Sequence, residues 1–344
     1  VKFKALIVKE SAKGGGKFVR EVSEKSIDEL PAGDVLIKVR YSSLNYKDAL
    51  SATGNKGVTR NYPHTPGIDA AGIVEESGNN QFKKGDEVLV TGYDLGMNTS
   101  GGFAEYVRVP ADWVVKLPAG LSLKESMMLG TAGLTAGLSV YKLDEAGIDP
   151  ACRETGKEGE IIITGATGGV GSIALALLSK LGYSTVASTR KKEKENYLKE
   201  LGAKLIINSD ELDDKSGKPL LNRRWKGAVD TVGGNILSTV IRSLDYRCSV
   251  ASCGNALSPD FNITVFPFIL RGVNLLGINS AETPMDLRKN IWLKLAGEWK
   301  LNNLEKIITE CSLEELHEKI DLILQGKITG RILVNLSPDT VYNN

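Results

Sequence analysis

The run Ile161-Ile162-Ile163-Thr164-Gly165-Ala166-Thr167-Gly168-Gly169-Val170-Gly171-Ser172 joins residue types that suit one task, the holding of a phosphate. Three β-branched isoleucines read as a buried parallel strand. The apolar stretch Ile173 to Leu178 after the glycines reads as a helix that Gly182 closes. The start of such a helix offers free N–H groups and a partial positive charge, and glycine lets a pyrophosphate come close to the backbone. Set against the G-x-G-x-x-G fingerprint, the chain has Ala166 at the first position, Gly168 at the second and Gly171 at the third. The first glycine serves the tight turn, so Ala166 shifts that turn but leaves the close approach at Gly168 and the helix packing at Gly171. Thr167, Gly168, Gly169 and Val170 are the expected pyrophosphate contacts.

In sites for NAD, a carboxylate roughly twenty residues beyond the glycines binds the ribose 2′-OH. Here the second strand, Ser184-Thr185-Val186-Ala187-Ser188, runs into Thr189-Arg190-Lys191-Lys192, with no acid at that place. A 2′-phosphate would meet hydroxyls and a guanidinium able to grip it with two hydrogen bonds. Ser188, Thr189, Arg190 and Lys191 are therefore expected to bind NADPH. The competing reading is a solvated helix start, since Glu193 and Glu195 follow closely. Further on, Cys253-Gly254-Asn255 falls just past the fifth strand, where the ligand crevice of such sheets lies. Gly254 is expected to allow close approach of the cofactor, and Cys253 to fill apolar space rather than act as a nucleophile.

These residues need a frame to position them. Residues 1 to about 125 read as short strands split by Gly, Pro and Asn: Ala5–Val8, Asp34–Val39, Ala71–Val74, Glu87–Val90 and Ala104–Val109. A helix over Tyr46–Ser51 interrupts them, with Asn45 as its cap. Beyond about 126, strands alternate with longer helical periods, the sign of a doubly wound sheet. Its strands are expected at Ile161–Thr164, Ser184–Ser188, Lys204–Asn208, Ala228–Val232, Cys248–Cys253 and Asn274–Asn279. Helices are expected over 172–181, 191–201, 235–244 and 266–271, then over Asp286–Trp299 and Leu313–Leu324. A last strand, Arg331–Leu336, lacks a partner in that sheet and is expected to return to the first domain. The fold class is α/β: a β-rich catalytic domain over 1–125, a dinucleotide-binding parallel sheet over 126–300, and a C-terminal return over 301–344. The polar stretch Asp149–Glu158 reads as a surface loop.

The totals exclude several classes. A chain of 344 residues exceeds one ordinary core. Hydrophobic content of 42% with 25% charged residues is that of a globular protein. A net charge of +1 provides no field for nucleic acid or a membrane surface. No stretch reaches the ~18 apolar residues of a membrane span, and no leader is evident, so a cytoplasmic location is expected. Cys152, Cys248, Cys253 and Cys311 form neither a disulfide framework nor a zinc-binding pair.

Several stretches resemble the medium-chain dehydrogenase/reductase superfamily over nearly the whole chain. Gly101-Gly102-Phe103-Ala104-Glu105-Tyr106 and Pro118-Ala119-Gly120-Leu121-Ser122 are similar to that superfamily at large. Ser43-Leu44-Asn45-Tyr46-Lys47-Asp48-Ala49-Leu50, Pro66-Gly67-Ile68-Asp69, Gly130-Thr131-Ala132-Gly133-Leu134-Thr135-Ala136 and Pro267-Phe268-Ile269-Leu270-Arg271 resemble its acryloyl-CoA reductase subgroup, whose members are also named NADPH quinone oxidoreductases. The resemblance implies a GroES-like domain, a Rossmann domain, NADPH in a cleft between them, and a homodimer built by sheet edges. It also implies cofactor contacts at Thr135, Phe268 to Leu270, Ile278 and the Gly330-Arg331 turn.

Zinc-dependent relatives need Cys and His ligands with an open coordination position. Where they carry a ligand cysteine this sequence has Asn45, and where they carry the His of Gly-His-Glu it has Ile68. Of the two histidines, His64 reads as a surface turn residue and His317 as solvent-facing, so no metal is expected. An α,β-unsaturated thioester is already activated: hydride goes to Cβ, charge spreads onto the carbonyl, and a proton completes Cα. The resemblance thus points to reduction of an acryloyl-CoA-like substrate. The rivals are a quinone or enone reductase and a non-catalytic NADPH-binding protein. Asn45 and Tyr46 are the catalytic candidates. Tyr46 either contacts the nicotinamide and gives the proton, a phenol being protonated at neutral pH, or is a wall while water gives it. Asp69 reads as a structural carboxylate tying down Lys47 or a loop amide. Lys56, Arg60 and Arg288 are candidates for the CoA nucleotide.

Overall fold

The computed structural model describes residues 1–11, 16–148 and 159–337. The loop expected at Asp149–Glu158, and Cys152 with it, lie outside the described residues. In chain order the elements are β1 (Lys2–Glu10), β2 (Phe18–Ser26), β3 (Val35–Leu44), α1 (Tyr46–Ser51), β4 (Asp69–Ser77), β5 (Glu87–Thr91), β6 (Tyr106–Val109), β7 (Val115–Lys116) and α2 (Leu123–Glu145). There follow β8 (Glu160–Ile163), α3 (Gly169–Lys180), β9 (Ser184–Thr189), α4 (Glu195–Glu200), β10 (Leu205–Asn208), β11 (Trp225–Asp230), α5 (Gly234–Ser243), β12 (Leu244–Ser252), α6 (Phe266–Arg271) and β13 (Asn274–Gly277). The chain closes with α7 (Met285–Ala296), β14 (Ile308–Ser312), α8 (Leu316–Leu324) and β15 (Arg331–Asn335).

Two compact units form. The first takes Val1–Thr131, Ala281–Gly297 and Asn303–Asn344. The second takes Ala132–Ser280 and Glu298–Asn302. The sequence reading set the divisions at 125/126 and 300/301, so the difference is largely α7. That helix belongs with the first unit because Arg288, fully buried, donates to Thr91 O at 2.5 Å and Ala281 O at 2.8 Å and lies over the Tyr93 ring at 4.3 Å.

In the first unit β1 and β2 form a hairpin, and a seven-stranded sheet runs β14-β15-β3-β4-β5-β7 with β6 also on β3. Alternation along Val35, Ile37 and Val39 sends one face of β3 into a core with Leu6, Val8, Val90, Phe103 and Val107. β15 does return to this sheet, antiparallel to β3 with Val334 opposite Ser42. α2 is broken at Gly130, whose φ of 53° and ψ of −154° suit glycine.

The second unit is a six-stranded sheet, all parallel, in the order β10-β9-β8-β11-β12-β13. Counted from β8, this is 3-2-1-4-5-6, the doubly wound order, and it reverses direction between β8 and β11. Ile161, Ile162 and Ile163 are at most 1% exposed, as a strand covered on both faces requires. Ligands of such sheets bind beyond the strand C-termini at that reversal.

Candidate active site

At the reversal, Gly165 takes the tight turn with a left-handed φ of 58°, one residue before the position the fingerprint assigns to it. A Cβ on Gly171 would sit 2.3 Å from Gly165 O and 2.9 Å from Ala166 Cα, so α3 packs backbone to backbone on the turn. Gly168 is the N-cap of α3 and supplies no side-chain cap, which leaves first-turn amides at Gly169, Val170 and Gly171 without helical acceptors. Thr167 is buried, and Gly168 to Val170 are half-buried. Uncapped amides and the dipole of a twelve-residue helix suit an anion, and a pyrophosphate fits them.

The turn is braced from below. Thr164 donates to Asp230 Oδ1 at 2.7 Å, Gly233 N–H donates to Asp230 Oδ2 at 2.9 Å, and Thr231 donates to Thr164 O at 2.9 Å. Burial pushes the Asp230 carboxyl above its ordinary range. Cys253 donates its thiol to Asp230 O at 3.3 Å, and burial pushes that thiol up to about 12, which makes it inert at neutral pH. Gly254 is glycine for a packing reason: a Cβ would lie 2.3 Å from Thr231 O.

Beside the cradle, the ends of β9 and β10 meet. Ser188 and Ser209 share a buried hydroxyl contact of 2.9 Å. Thr189 Oγ1 accepts Lys191 N–H at 3.0 Å, which leaves the Thr189 O–H proton for another acceptor. Arg190 is exposed and pairs through Nε with Asp210 at 3.1 Å. Burial and the neighbouring Lys194 lower Lys191, against the pull of Glu193. Thr135 donates to Ser280 Oγ at 2.8 Å, and Ile278 N–H donates to Ser252 O at 3.0 Å. Phe268 is half-buried and Leu270 exposed on α6, which Arg271 anchors through three carbonyls, Arg242 O, Leu244 O and Leu221 O, at 2.6 to 3.0 Å.

The first unit gathers a second constellation. Asp69, fully buried, accepts from Ser43 Oγ at 2.5 Å, Asn45 Nδ2 at 2.7 Å, Thr131 Oγ1 at 2.6 Å and Thr131 N–H at 3.0 Å, with Arg331 at 3.6 Å. These partners are the Thr131 amide at the break in α2, the Asn45 side-chain amide and two hydroxyls, rather than Lys47 or a loop amide. Arg331 donates to Asn45 Oδ1 at 3.0 Å, Leu44 O at 3.1 Å and Ser43 Oγ at 2.6 Å. Burial works against its charge, and Asp69 and Asp48 work for it. Its side chain is thus committed inside this network, which leaves the backbone of the Gly330-Arg331 turn for the expected cofactor contact. Both ends of the Asn45 amide are also held, Nδ2 by Asp69 and Oδ1 by Arg331. Asp48 accepts Ile68 N–H at 2.8 Å and Asn45 N–H at 2.7 Å. Burial, then the charge of Asp69, pushes its carboxyl up to about 7 against those hydrogen bonds. Tyr46, the first residue of α1, is 47% exposed.

The chain matches the alcohol dehydrogenase GroES-like domain over residues 31–119 and the zinc-binding dehydrogenase domain over 169–295. It is 41% identical to the acrylyl-CoA reductase AcuI of Ruegeria pomeroyi, over 97% of this chain and 99% of that protein. The chain belongs to the medium-chain dehydrogenase/reductase family. Among solved members, yhdH of Salmonella enterica in complex with NADP is 42% identical with a TM-score of 0.92, covering 97% of this chain and 100% of that one. The Bacillus subtilis protein yhfP with NAD bound is 44% identical with a TM-score of 0.92, covering 98% and 100%.

Although one matching domain of this dehydrogenase/reductase is described as zinc-binding, its residues do not fit zinc. Among the described residues no three of His, Cys, Asp and Glu gather as a metal site. Asn45 offers an amide already held at both ends, and Ile68 offers no donor side chain. His64 is buried rather than in a surface turn, and its Nε2 bonds to Gly96 O at 2.9 Å. His317 is half-buried, with its carbonyl accepting from Arg20 at 3.4 Å. Arg288 is buried and engaged, which removes it from the candidates for the CoA nucleotide. Lys56 pairs with Glu10 at 3.3 Å and lies over the Tyr62 ring, and Arg60 is exposed. Sequence reasoning missed Asp48, Thr131 and Asp210. Asp48 and Thr131 stood inside quoted motifs as spacing rather than as partners. Asp210 carried a local signal, the Asn208-Ser209-Asp210 cap after a strand.

Proposed function

We propose that this protein is a zinc-independent, NADPH-dependent reductase of the activated C=C bond of an α,β-unsaturated acyl-CoA such as acryloyl-CoA. The observation that carries the reading is likeness to an acrylyl-CoA reductase over 97% of the chain. The uncapped start of α3, at Thr167 to Val170, takes the pyrophosphate, and Ser188, Thr189, Arg190 and Lys191 take the adenosine 2′-phosphate. Thr135, Cys253, Gly254, Phe268, Leu270, Ile278 and the backbone at Arg331 complete the cofactor contacts. Bound NADPH supplies the hydride that Cβ accepts. Tyr46 presents a phenol that gives Cα its proton, so the double bond gains two hydrogens as hydride and proton. The Asp69–Arg331 network holds α1, and with it Tyr46, in one orientation, which such a transfer requires.

The test is steady-state NADPH consumption by the purified protein with acryloyl-CoA, free enones and quinones. A kcat/KM for acryloyl-CoA well above the others supports the reading. Preference for quinones would replace it with the quinone reductase alternative, and no turnover with any acceptor would leave a non-catalytic binding protein.

A homodimer goes with this reading. β13 is a sheet edge, Leu275 on it is exposed, and Val265, Phe266, Ile269 and Leu270 expose apolar surface on and beside α6. The reading places the protein in the cytoplasm, where Cys248, Cys253 and Cys311, which form no disulfide with one another, stay reduced. Light scattering of the purified protein at twice the chain mass of 37.0 kDa is the expected result.

A further inference from the structure

β9 and β10 run parallel with Asn208 opposite Thr189, so the residues leaving their C-terminal ends stand side by side. β9 runs into Arg190. β10 runs into a short turn, Ser209–Leu212, which bears Asp210. That turn is built firmly: Asn208 Oδ1 accepts Asp210 N–H at 3.1 Å, Asn208 N–H donates to Glu211 at 3.0 Å, and Ser209 is tied to Ser188 at 2.9 Å. On this base the Asp210 carboxylate accepts from Arg190 Nε at 3.1 Å. Asp213, the other acid nearby, is engaged with Asn235 at 2.7 Å and Lys215 at 3.3 Å.

We propose that Asp210 is a specificity-determining residue for the dinucleotide. It returns, from the third strand of the doubly wound order, the carboxylate missing from the end of the second, and so holds down the preference for NADPH over NADH. The inference rests on the reading of Arg190 as the 2′-phosphate ligand. Engagement of Nε leaves the terminal nitrogens of the guanidinium for a phosphate. The same carboxylate repels that phosphate, and a doubly charged group feels it twice as strongly as a single charge does. Steadying of Arg190 by Asp210 is a weaker effect, because the side chains are 57% and 67% exposed and exposed ion pairs hold little. The same exposure screens the repulsion, but the repulsion grows with the second phosphate charge while the steadying does not. A ribose 2′-OH, in contrast, can donate to the carboxylate, as it does to the acid of NAD sites.

The experiment is titration of the full chain with NADPH and with NADH, followed by nucleotide fluorescence, for the natural protein, D210N and R190Q. D210N is expected to raise the ratio of NADPH to NADH affinity about tenfold, which is about 1.4 kcal/mol. R190Q is expected to lower it. A lowered ratio in R190Q with an unchanged or lowered ratio in D210N overturns the role of Asp210 alone. An unchanged ratio in R190Q overturns the 2′-phosphate reading of Arg190 and the inference with it.

Discussion

Replacement of Asp69 by Asn tests the buried network that fixes α1. The carboxylate spreads its bonds over both oxygens: Oδ2 takes Ser43, Asn45 and the Thr131 amide, and Oδ1 takes the Thr131 hydroxyl and amide. An Asn side chain keeps one acceptor and turns an NH2 toward donors. Whichever way it flips, at least one donor loses its acceptor, at about 1–3 kcal/mol for each buried group left unsatisfied. Arg331, 3% exposed, also loses its opposite charge at 3.6 Å, and breaking a buried pair costs about 3–5 kcal/mol. The two losses share one network and do not add, so D69N is expected to lose about 3–5 kcal/mol in guanidinium unfolding. Asp48 offsets part of this. Its carboxyl stands at about 7 partly because of the charge on Asp69, so without that charge it ionises more readily and serves Arg331. The double variant D69N/D48N is therefore expected to lose more than the two single variants together. A D69N loss under about 1 kcal/mol, smaller than the cost of one unsatisfied buried group, would refute the reasoning.

Asp48 itself sets a pH dependence. Its folded pKa of about 7 lies above the ordinary 3.8, so the native state holds the proton more tightly. Its contribution to stability is complete below about pH 4 and is lost as pH rises toward 7. D48N should flatten that part of a pH series of unfolding midpoints, and an unchanged slope would assign it to another group. Tyr46→Phe should lower turnover with acryloyl-CoA by ~10²-fold if the phenol is the acid, and unchanged kcat would leave Tyr46 as a wall. Gly171→Ala puts a methyl 2.3 Å from Gly165 O and must push α3 off the turn. Overpacking against backbone costs about 1–3 kcal/mol, so NADPH affinity measured by titration should fall tenfold or more. Affinity equal to that of the natural protein would mean that the turn is not the cradle.

The dinucleotide unit was legible because its signals are local. A run of isoleucines, a glycine turn and an apolar helix each follow from short-range rules, and all six strands of the sheet begin or end within a few residues of where the pattern puts them. α6 was placed at Phe266–Arg271, and α1 at Tyr46–Ser51. The misses were elements whose sequence lacks a one-sided apolar face. β2 buries no residue completely, so its mixed charges gave no alternation. β14 buries Cys311 alone. α2 contains Gly130, Gly133 and Gly137, which argue against a helix, although a Cβ at Gly130 would lie 2.4 Å from Ser43 Oγ and 2.5 Å from Asp69 Oδ2. That glycine is required by a cluster drawn from residues 43, 69, 130 and 331, a long-range fact that no local rule reaches. The same holds for α7, whose buried Arg288 bonds to residues 91 and 281 of the first unit.

The central claim is that a helix-start cradle holds NADPH so that its hydride reaches the β-carbon of an enoyl thioester. The most direct measurement is mass spectrometry and NMR of the product formed from acryloyl-CoA and NADPH fully deuterated at the nicotinamide C4. One deuterium on C3 of propanoyl-CoA, with the new C2 hydrogen drawn from water, is the expected result. NADPH oxidised without propanoyl-CoA, or product with the label at C2 or nowhere, would contradict the account.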